Sequence, residues 1–185
     1  PKMMKFLYTA AMYVFYGLMG ISSLFKAKAR LWISGRRNWK KKIQSWDAAG
    51  SETYWFHAAS LGEFEQGLPV IEELKREKPD CRIVLTFYSP SGYEIRKNYA
   101  KADLVSYLPL DTPGNARKFI ETIKPAAAFF IKYEFWFFYL RHLHRMKIPV
   151  YLVSGIFRPK QVFFRSYGRF FRAQLHYFSY FFVQD

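Results

Sequence analysis

The chain has 185 residues, of which 51% are hydrophobic and 21% aromatic, and it carries a formal net charge of +15. This length supports one sizeable core, and the single cysteine, Cys81, excludes an internal disulfide and a zinc site built from cysteines. The positive charge favours an anionic partner such as a membrane surface, a phosphorylated substrate or nucleic acid.

The first predicted element is a stretch without charged residues at positions 6–25. A helix of about 20 residues is long enough to cross the hydrocarbon core of a membrane. Positive charge follows at Lys26, Lys28 and Arg30, which places this flank on the cytoplasmic side. The stretch predicts a membrane anchor that spans the bilayer or lies in its interface, and a helix packed on a protein core is the alternative. Residues 1–50 are expected to comprise this anchor and a basic, aromatic linker.

From residue 51 onward, predicted strands and helices alternate along the chain. Strands are predicted at residues 54–57, 82–87, 104–108, 126–131, 149–153 and 178–183. Helices are predicted at residues 63–78, 113–123, 135–146 and 163–175, with a short one that ends near residue 100. This alternation predicts an α/β domain over residues 51–185, with a Rossmann-like parallel sheet covered by helices on both faces.

The segment YWFHAASLGE at positions 54–63 reads as a buried strand, a turn of small residues and the start of a helix. Ligands of open α/β sheets bind at strand ends of this kind. Glu63 would lie in the first helical turn, where unpaired N–H groups and the helix dipole are expected to keep its carboxylate ionised at neutral pH. An ionised, positioned carboxylate can act as a general base. The structural alternative is that Ser60 and Glu63 form an S-x-x-E capping box.

Four motifs resemble those of the Kdo transferases, which transfer 3-deoxy-D-manno-oct-2-ulosonic acid (Kdo) from CMP-Kdo to lipid A precursors. They are HAASLGE at 57–63, TFYSPSG at 86–92, YLPLD at 107–111 and EFW at 134–136. Members of this family are glycosyltransferases of the GT-B type, in which an N-terminal Rossmann-like half binds the lipid acceptor and a C-terminal half binds the CMP-sugar. The resemblance implies that this chain is the acceptor-binding half, without the donor-binding half, and that it is inactive alone.

The same resemblance assigns roles to residues. It places the catalytic general base at Glu63 and a second functional carboxylate at Glu134. It implies an inverting transfer to lipid IVA in lipopolysaccharide biosynthesis, with CMP-Kdo as the donor, no cofactor and no metal. Ser60 and Gly62 would shape the acceptor site, and His57 could line the cleft, although a histidine at a strand end is more often structural. The alternative for Glu134 is an acid that stabilises the first turn of a helix.

Arg158 and Lys160 are the predicted contacts to the acceptor, because a bis-phosphorylated ligand needs fixed cations. The family has Asn-Ala-Arg after the fifth strand, whereas this chain has Ser-Gly-Ile at 154–156, and Arg158 lies two residues further on. Aromatic residues and arginines interleave at 162–172. This pattern is typical of a surface that contacts lipid headgroups or of a core-packed helix with a basic outer face.

The expected partners are therefore a lipid A precursor, CMP-Kdo and a membrane surface. No nucleic-acid-binding motif is present in the sequence, so nucleic acid is not an expected partner. The expected location is the cytoplasmic face of the inner membrane. The alternative function is a non-catalytic, membrane-anchored domain that binds anionic lipids, in which Glu63 would only cap a helix.

Overall fold

The computed structural model describes residues 2–158 and 160–184. Six strands form one sheet: β1 (Thr53–Ala58), β2 (Arg82–Phe87), β3 (Leu104–Tyr107), β4 (Ala127–Ile131), β5 (Val150–Gly155) and β6 (Tyr180–Val183). Eight α-helices are present in these ranges: α1 (Lys2–Ser22), α2 (Ala27–Arg37), α3 (Trp39–Gln44), α4 (Leu61–Glu77), α5 (Pro90–Arg96), α6 (Pro113–Ile123), α7 (Phe137–Arg145) and α8 (Arg169–Leu175).

The sheet is parallel throughout, and its strand order is β3-β2-β1-β4-β5-β6. The first strand, β1, lies near the centre of the sheet. The next two strands, β2 and β3, are added on one side of β1, and β4 to β6 are added on its other side. The order therefore reverses between β1 and β4, and a crevice opens beyond the carboxyl ends of these strands. The predicted Rossmann-like α/β architecture is confirmed.

Helices cover both faces of the sheet and enclose two cores. On one face, Trp55 of β1 and Phe130 of β4 pack with side chains of α3, α6 and α7. On the other face, Phe56 and Leu85 pack against α4, with Phe64 of that helix fully buried. Successive residues of a strand point to opposite faces, so the continuous apolar runs of these strands supply both cores.

The segment expected to be a linker instead forms α2 and α3, which pack on the domain. Trp32 and Ile33 of α2 and Trp39 and Ile43 of α3 are buried, with 7% or less of their surface exposed. Arg36, on the same side of α2, is buried as well. Their spacing of three or four residues is helical, and the high density of charge in this segment obscured that pattern.

The end of the chain also differs from the prediction of one helix at residues 163–175. Two short 3-10 turns, Val162–Phe164 and Ser166–Gly168, precede α8, and Arg165 between them is extended (φ −89°, ψ 151°). The backbone folds back so tightly that a Cβ on Gly168 would lie 1.7 Å from the carbonyl oxygen of Val162. A continuous helix cannot make this turn.

Helix α1 is long and apolar enough to cross a membrane over Met3–Ser22, in agreement with the predicted helical stretch. One face of it lies on the domain: Tyr8 packs with the rings of Phe137 and Phe138, and Met12, Tyr16 and Met19 pack around Trp32 and Leu110. The opposite face exposes large apolar side chains to the outside: Met3, Phe6, Leu7, Tyr13, Val14, Leu18 and Ile21. This helix therefore lies along the domain with an apolar outer face.

Candidate functional site at the carboxyl edge of the sheet

The candidate site is built around the turn that joins β1 to α4. Strand β1 ends at Ala58, and α4 begins at Leu61, two residues earlier than predicted. Ser60 is the N-cap residue and is extended (φ −141°, ψ 174°). This tight turn places Glu63 in the first turn of α4, on the edge of the sheet where the crevice opens.

The capping box predicted for Ser60 and Glu63 is only partly formed. The side chain of Ser60 makes no capping hydrogen bond to α4. One carboxylate oxygen of Glu63, Oε2, accepts a hydrogen bond of 2.7 Å from the backbone N–H of Ala59, the residue before the cap. Glu63 thus closes the turn, while the hydroxyl of Ser60 has no part in holding the helix. Ser60 is half-buried and stands beside the exposed Gly62.

The expectation that Glu63 is firmly ionised at neutral pH is wrong. Burial and, to a smaller extent, the negative charge of Glu134 together raise the pKa of Glu63 to about 7. The N–H of Ala59 and the cation of Lys132 act in the opposite direction without cancelling these effects. The sequence-based expectation considered only the helix terminus, which lowers the pKa of a carboxylate. In the fold, desolvation and a second carboxylate raise the pKa of Glu63 by more than the terminus lowers it.

Glu134 lies in the loop between β4 and α7, and α7 begins only at Phe137. The alternative that Glu134 sits in the first turn of a helix is therefore wrong. Its side chain is 9% exposed, and Oε2 lies 2.9 Å from Nε2 of His57 and 2.6 Å from Nε1 of Trp136. Two ring nitrogens thus fix one carboxylate oxygen at the crevice.

His57 does not line the cleft, because it is fully buried at the end of β1. Its Nδ1 lies 2.8 Å from the hydroxyl of Thr86, the residue opposite it on β2. The Thr86 oxygen also accepts a hydrogen bond of 2.8 Å from Nε1 of Trp55. If Thr86 donates its proton to Nδ1, Nε2 of His57 carries the hydrogen that is donated to Glu134, and all these groups are satisfied. His57 therefore acts as a buried support for Glu134.

An aromatic wall flanks this network. The ring of Trp136 stacks on Tyr88 with centroids 4.6 Å apart. Arg36 also packs on this wall: its guanidinium lies 4.8 Å from the Tyr88 ring and 3.8 Å from that of Trp32. Arg36 donates to the carbonyl oxygens of Leu108, Trp32 and Tyr88, so this cation is used within the protein. Burial lowers the pKa of Arg36 to about 10, a value at which it still carries its charge at neutral pH.

A groove with a volume of about 420 Å³ opens next to Glu134. Its walls are mainly aromatic and come from the β4–α7 loop, from the segment before α8 and from α8 itself: Tyr133, Phe135, Trp136, Val162, Phe163 and Phe171. Gln161 also lines it, and the side-chain oxygen of Gln161 accepts a hydrogen bond of 3.0 Å from the backbone N–H of Arg158. The exposed Arg158 and Lys160 thus lie on the segment that forms one side of this groove.

The structure brings Ser60, Gly62, Glu63 and Glu134 to one edge of the sheet, as the sequence predicted. Sequence reasoning missed the supporting residues Trp55 and Thr86 and the aromatic wall. The signal for Thr86 was a hydroxyl inside a continuous apolar strand, since a buried hydroxyl needs partners. Nε1 of Trp136 lies 3.0 Å from Nε2 of His57 as well as 2.6 Å from Glu134, and no local pattern in the sequence indicates these contacts.

Comparisons with known proteins identify the family to which this chain belongs. A family model described as "3-Deoxy-D-manno-octulosonic-acid transferase (kdotransferase)" matches residues 35–185. A 3-deoxy-D-manno-octulosonic acid transferase of Aquifex aeolicus is 43% identical over 83 residues, which are 44% of this chain and 23% of that protein. The enzyme of the same name from Haemophilus influenzae is 28% identical over 102 residues, 55% of this chain and 24% of that protein.

A plant protein gives a similar match. The probable mitochondrial 3-deoxy-D-manno-octulosonic acid transferase of Arabidopsis thaliana is 33% identical over 102 residues, which are 55% of this chain and 23% of that protein. The matched part of the chain therefore spans about a quarter of the length of these curated relatives.

Proposed function

This chain belongs to the 3-deoxy-D-manno-octulosonic-acid transferase family, and on that premise we propose that it is the acceptor-binding half of an inverting glycosyltransferase. The proposed enzyme is of the GT-B type and transfers Kdo from CMP-Kdo to the lipid A precursor lipid IVA, in lipopolysaccharide biosynthesis. The CMP-sugar is bound mainly by a further, C-terminal domain. The relatives described above are named 3-deoxy-D-manno-octulosonic acid transferases, which supports the proposed class of reaction.

The observation that carries this proposal is the setting of Glu63. Its carboxylate is half-buried at the crevice, held by the N–H of Ala59, and has a pKa of about 7. A general base works best when its pKa lies near the working pH, because it is then both ionised and basic. A carboxylate that only capped a helix would be expected to have a lowered pKa instead.

In the proposed reaction, Glu63 accepts the proton of a sugar hydroxyl of the acceptor. The freed oxygen attacks the anomeric carbon of Kdo from the side opposite to CMP. One C–O bond forms, the bond between the anomeric carbon and the phosphate oxygen breaks, and CMP leaves with the bonding electron pair. The configuration inverts in this single displacement, and neither a cofactor nor a metal enters the step.

Glu134 has a supporting role in this proposal. Its charge raises the pKa of Glu63, and it is itself fixed by His57 and Trp136. Rigid support of this kind keeps a reacting group in a productive position. Ser60 and Gly62 form the rim of the acceptor site, and the hydroxyl of Ser60, which makes no capping hydrogen bond to α4, is available to the ligand.

The phosphates of the acceptor are assigned to Arg158 and Lys160. Both are exposed beside the groove at Glu134, and a guanidinium matches the geometry of a phosphate group. The apolar walls of this groove suit the acyl part of a lipid. Phosphate and acyl contacts next to one another are what a phosphorylated glycolipid requires.

The proposed location is the cytoplasmic face of the inner membrane, with α1 as the attachment. The contacts of Tyr8, Met12, Tyr16 and Met19 hold α1 along the domain for several turns. If α1 crossed the bilayer, these contacts would place the edge of the domain that contains the buried Asp111 in the hydrocarbon layer. An orientation in the interface leaves the apolar outer face in lipid and the basic flank at the headgroups.

The proposal is tested in two steps. The chain alone is titrated with a bis-phosphorylated lipid A precursor and with its dephosphorylated form, in detergent at moderate salt. We expect phosphate-dependent binding that weakens about tenfold in Arg158→Gln, because a charge-assisted contact is lost. Equal binding of both lipids would show that Arg158 and Lys160 do not bind the phosphates of the acceptor.

The catalytic role is tested in the enzyme that carries this chain together with its donor-binding domain. Glu63→Gln retains the shape and an acceptor oxygen for the N–H of Ala59 but removes the base. We expect a loss of turnover of at least a hundredfold without a decrease in thermal stability, as is typical for loss of a general base. Normal turnover would leave Glu63 as a helix cap and remove its assignment as the general base.

A further inference from the structure

A cationic cleft, separate from the groove at Glu134, lies between α6 and α7 on the outer side of the helical layer. It has a volume of about 480 Å³. Arg117 of α6 and Arg141 and Arg145 of α7 line it, together with His142. Arg141 and Arg145 are four residues apart and therefore share one face of α7. Three guanidinium groups from two neighbouring helices thus face one space.

The charge of this cleft is poorly balanced within the protein. Among the residues that the structure describes, no ion pair is formed by any of these three arginines, and the one acid lining the cleft is Glu121. Glu121 lies 3.8 Å from Nε2 of His142, a buried atom without a hydrogen-bond partner in the described part of the chain. Burial lowers the pKa of His142, the charge of Glu121 acts against this, and the charges of the three arginines act in the same direction as burial.

The position of the cleft relates it to α1. Phe138 lines the cleft, and its ring lies 5.7 Å from that of Tyr8 in α1. Pro113 and Gly114, at the start of α6, line the same end of the cleft, and they follow Asp111, which accepts a hydrogen bond from Tyr8. One end of the cationic cleft therefore meets the helix whose outer face is apolar.

We propose that the cleft between α6 and α7 binds the phosphate monoester headgroup of a membrane lipid. A phosphate monoester presents three oxygens and up to two negative charges, and arginine recognises these oxygens with paired N–H donors. A diester headgroup has fewer free oxygens and one charge, so it fits this set of cations less well. We assign this phosphate to a lipid and not to a soluble compound because α1 is proposed to attach the chain to a membrane. This site is separate from the groove at Glu134 and involves neither Arg158 nor Lys160.

The test compares two kinds of vesicle with equal surface charge, one containing phosphatidate and the other phosphatidylserine. Binding of the full chain is measured by co-sedimentation for the wild type, for Arg117→Gln/Arg141→Gln and for the control Lys41→Gln/Lys118→Gln. The control removes the same charge from exposed positions on α3 and α6 that do not line the cleft. A separate titration uses inorganic phosphate as a soluble ligand.

We expect the wild type and the control to prefer phosphatidate by about tenfold, a difference that corresponds to one strong charge-assisted contact. The arginine variant should bind both vesicles equally. A preference that survives in the arginine variant would overturn the site. Arginine-dependent binding of inorganic phosphate without a preference for phosphatidate would overturn the lipid source. Failure of the wild type to bind either vesicle would instead contradict the membrane attachment through α1.

Discussion

The hydroxyl of Tyr8 donates a hydrogen bond of 2.6 Å to Oδ2 of Asp111. Tyr8 belongs to α1, whereas Asp111 lies directly before α6 and is 1% exposed. The Asp111 carboxylate also accepts hydrogen bonds from the backbone N–H groups of Phe138 and Tyr139, in the first turn of α7. One buried carboxylate therefore joins α1, α6 and α7 at the carboxyl edge of the sheet.

Replacement of this carboxylate should be costly. We expect Asp111→Ala to lower the free energy of unfolding by about 3 kcal/mol, because three donors lose their buried partner. Urea denaturation of the chain at pH 7, followed by tryptophan fluorescence, measures this change. Asp80→Ala, at an exposed position, is the control and should have little effect. Equal stability of the two variants would contradict the joining role of Asp111.

The orientation of α1 leads to a prediction about chemical labelling. Cys81 is buried, so single cysteines can be introduced elsewhere without removing it. In sealed inverted membrane vesicles, an impermeant maleimide should label both Lys5→Cys, near the start of α1, and Lys28→Cys, since a helix in the interface keeps both ends on one side. Wild-type protein should not react and serves as the control. Labelling of Lys5→Cys only after the vesicles are opened would mean that α1 spans the bilayer.

The raised pKa of Glu63 predicts a pH-dependent stability. An unfolded glutamate ionises near pH 4.5, whereas Glu63 in the fold does so at about 7. Between these values the folded chain holds a proton that the unfolded chain has lost, so stability decreases as the pH rises through this range. We expect the melting temperature of the wild type to fall relative to that of Glu63→Gln between pH 5 and pH 8. Parallel curves for the two proteins would show that Glu63 has an ordinary pKa.

Glu134 should shift the pH dependence of the reaction. In the enzyme with its donor-binding domain, kcat/KM should rise with pH around 7, as Glu63 loses its proton. In Glu134→Gln the neighbouring charge is absent, and this rise should move to lower pH. The position of the rise reports the coupling even if the variant is slower. A rise that stays at the same pH in Glu134→Gln would mean that the two carboxylates do not interact.

The fold was more predictable from the sequence than the chemistry of its site. The six strands were found within about two residues, because continuous apolar runs between turn residues predict buried parallel strands. Helices α2 and α3 were missed because lysines and arginines dominate that segment and hide the spacing of Trp32, Trp39 and Ile43. The pKa of Glu63 could not be predicted, since it depends on burial and on Glu134, which is 71 residues away in the chain and near it only in the fold.

Gly62 gives a prediction in which stability and binding change in opposite directions. It is the second residue of α4, and a Cβ added there would meet no atom within 4 Å. Packing within the described chain therefore does not require glycine at this position, and alanine should raise the free energy of unfolding by about 0.5 kcal/mol through its better helix propensity. Gly114→Ala, at the second residue of α6 with equally open surroundings, is the control for this gain. If Gly62 faces the acceptor, Gly62→Ala should weaken binding of the lipid A precursor several-fold despite the higher stability. Unchanged affinity for this lipid would remove Gly62 from the rim of the acceptor site.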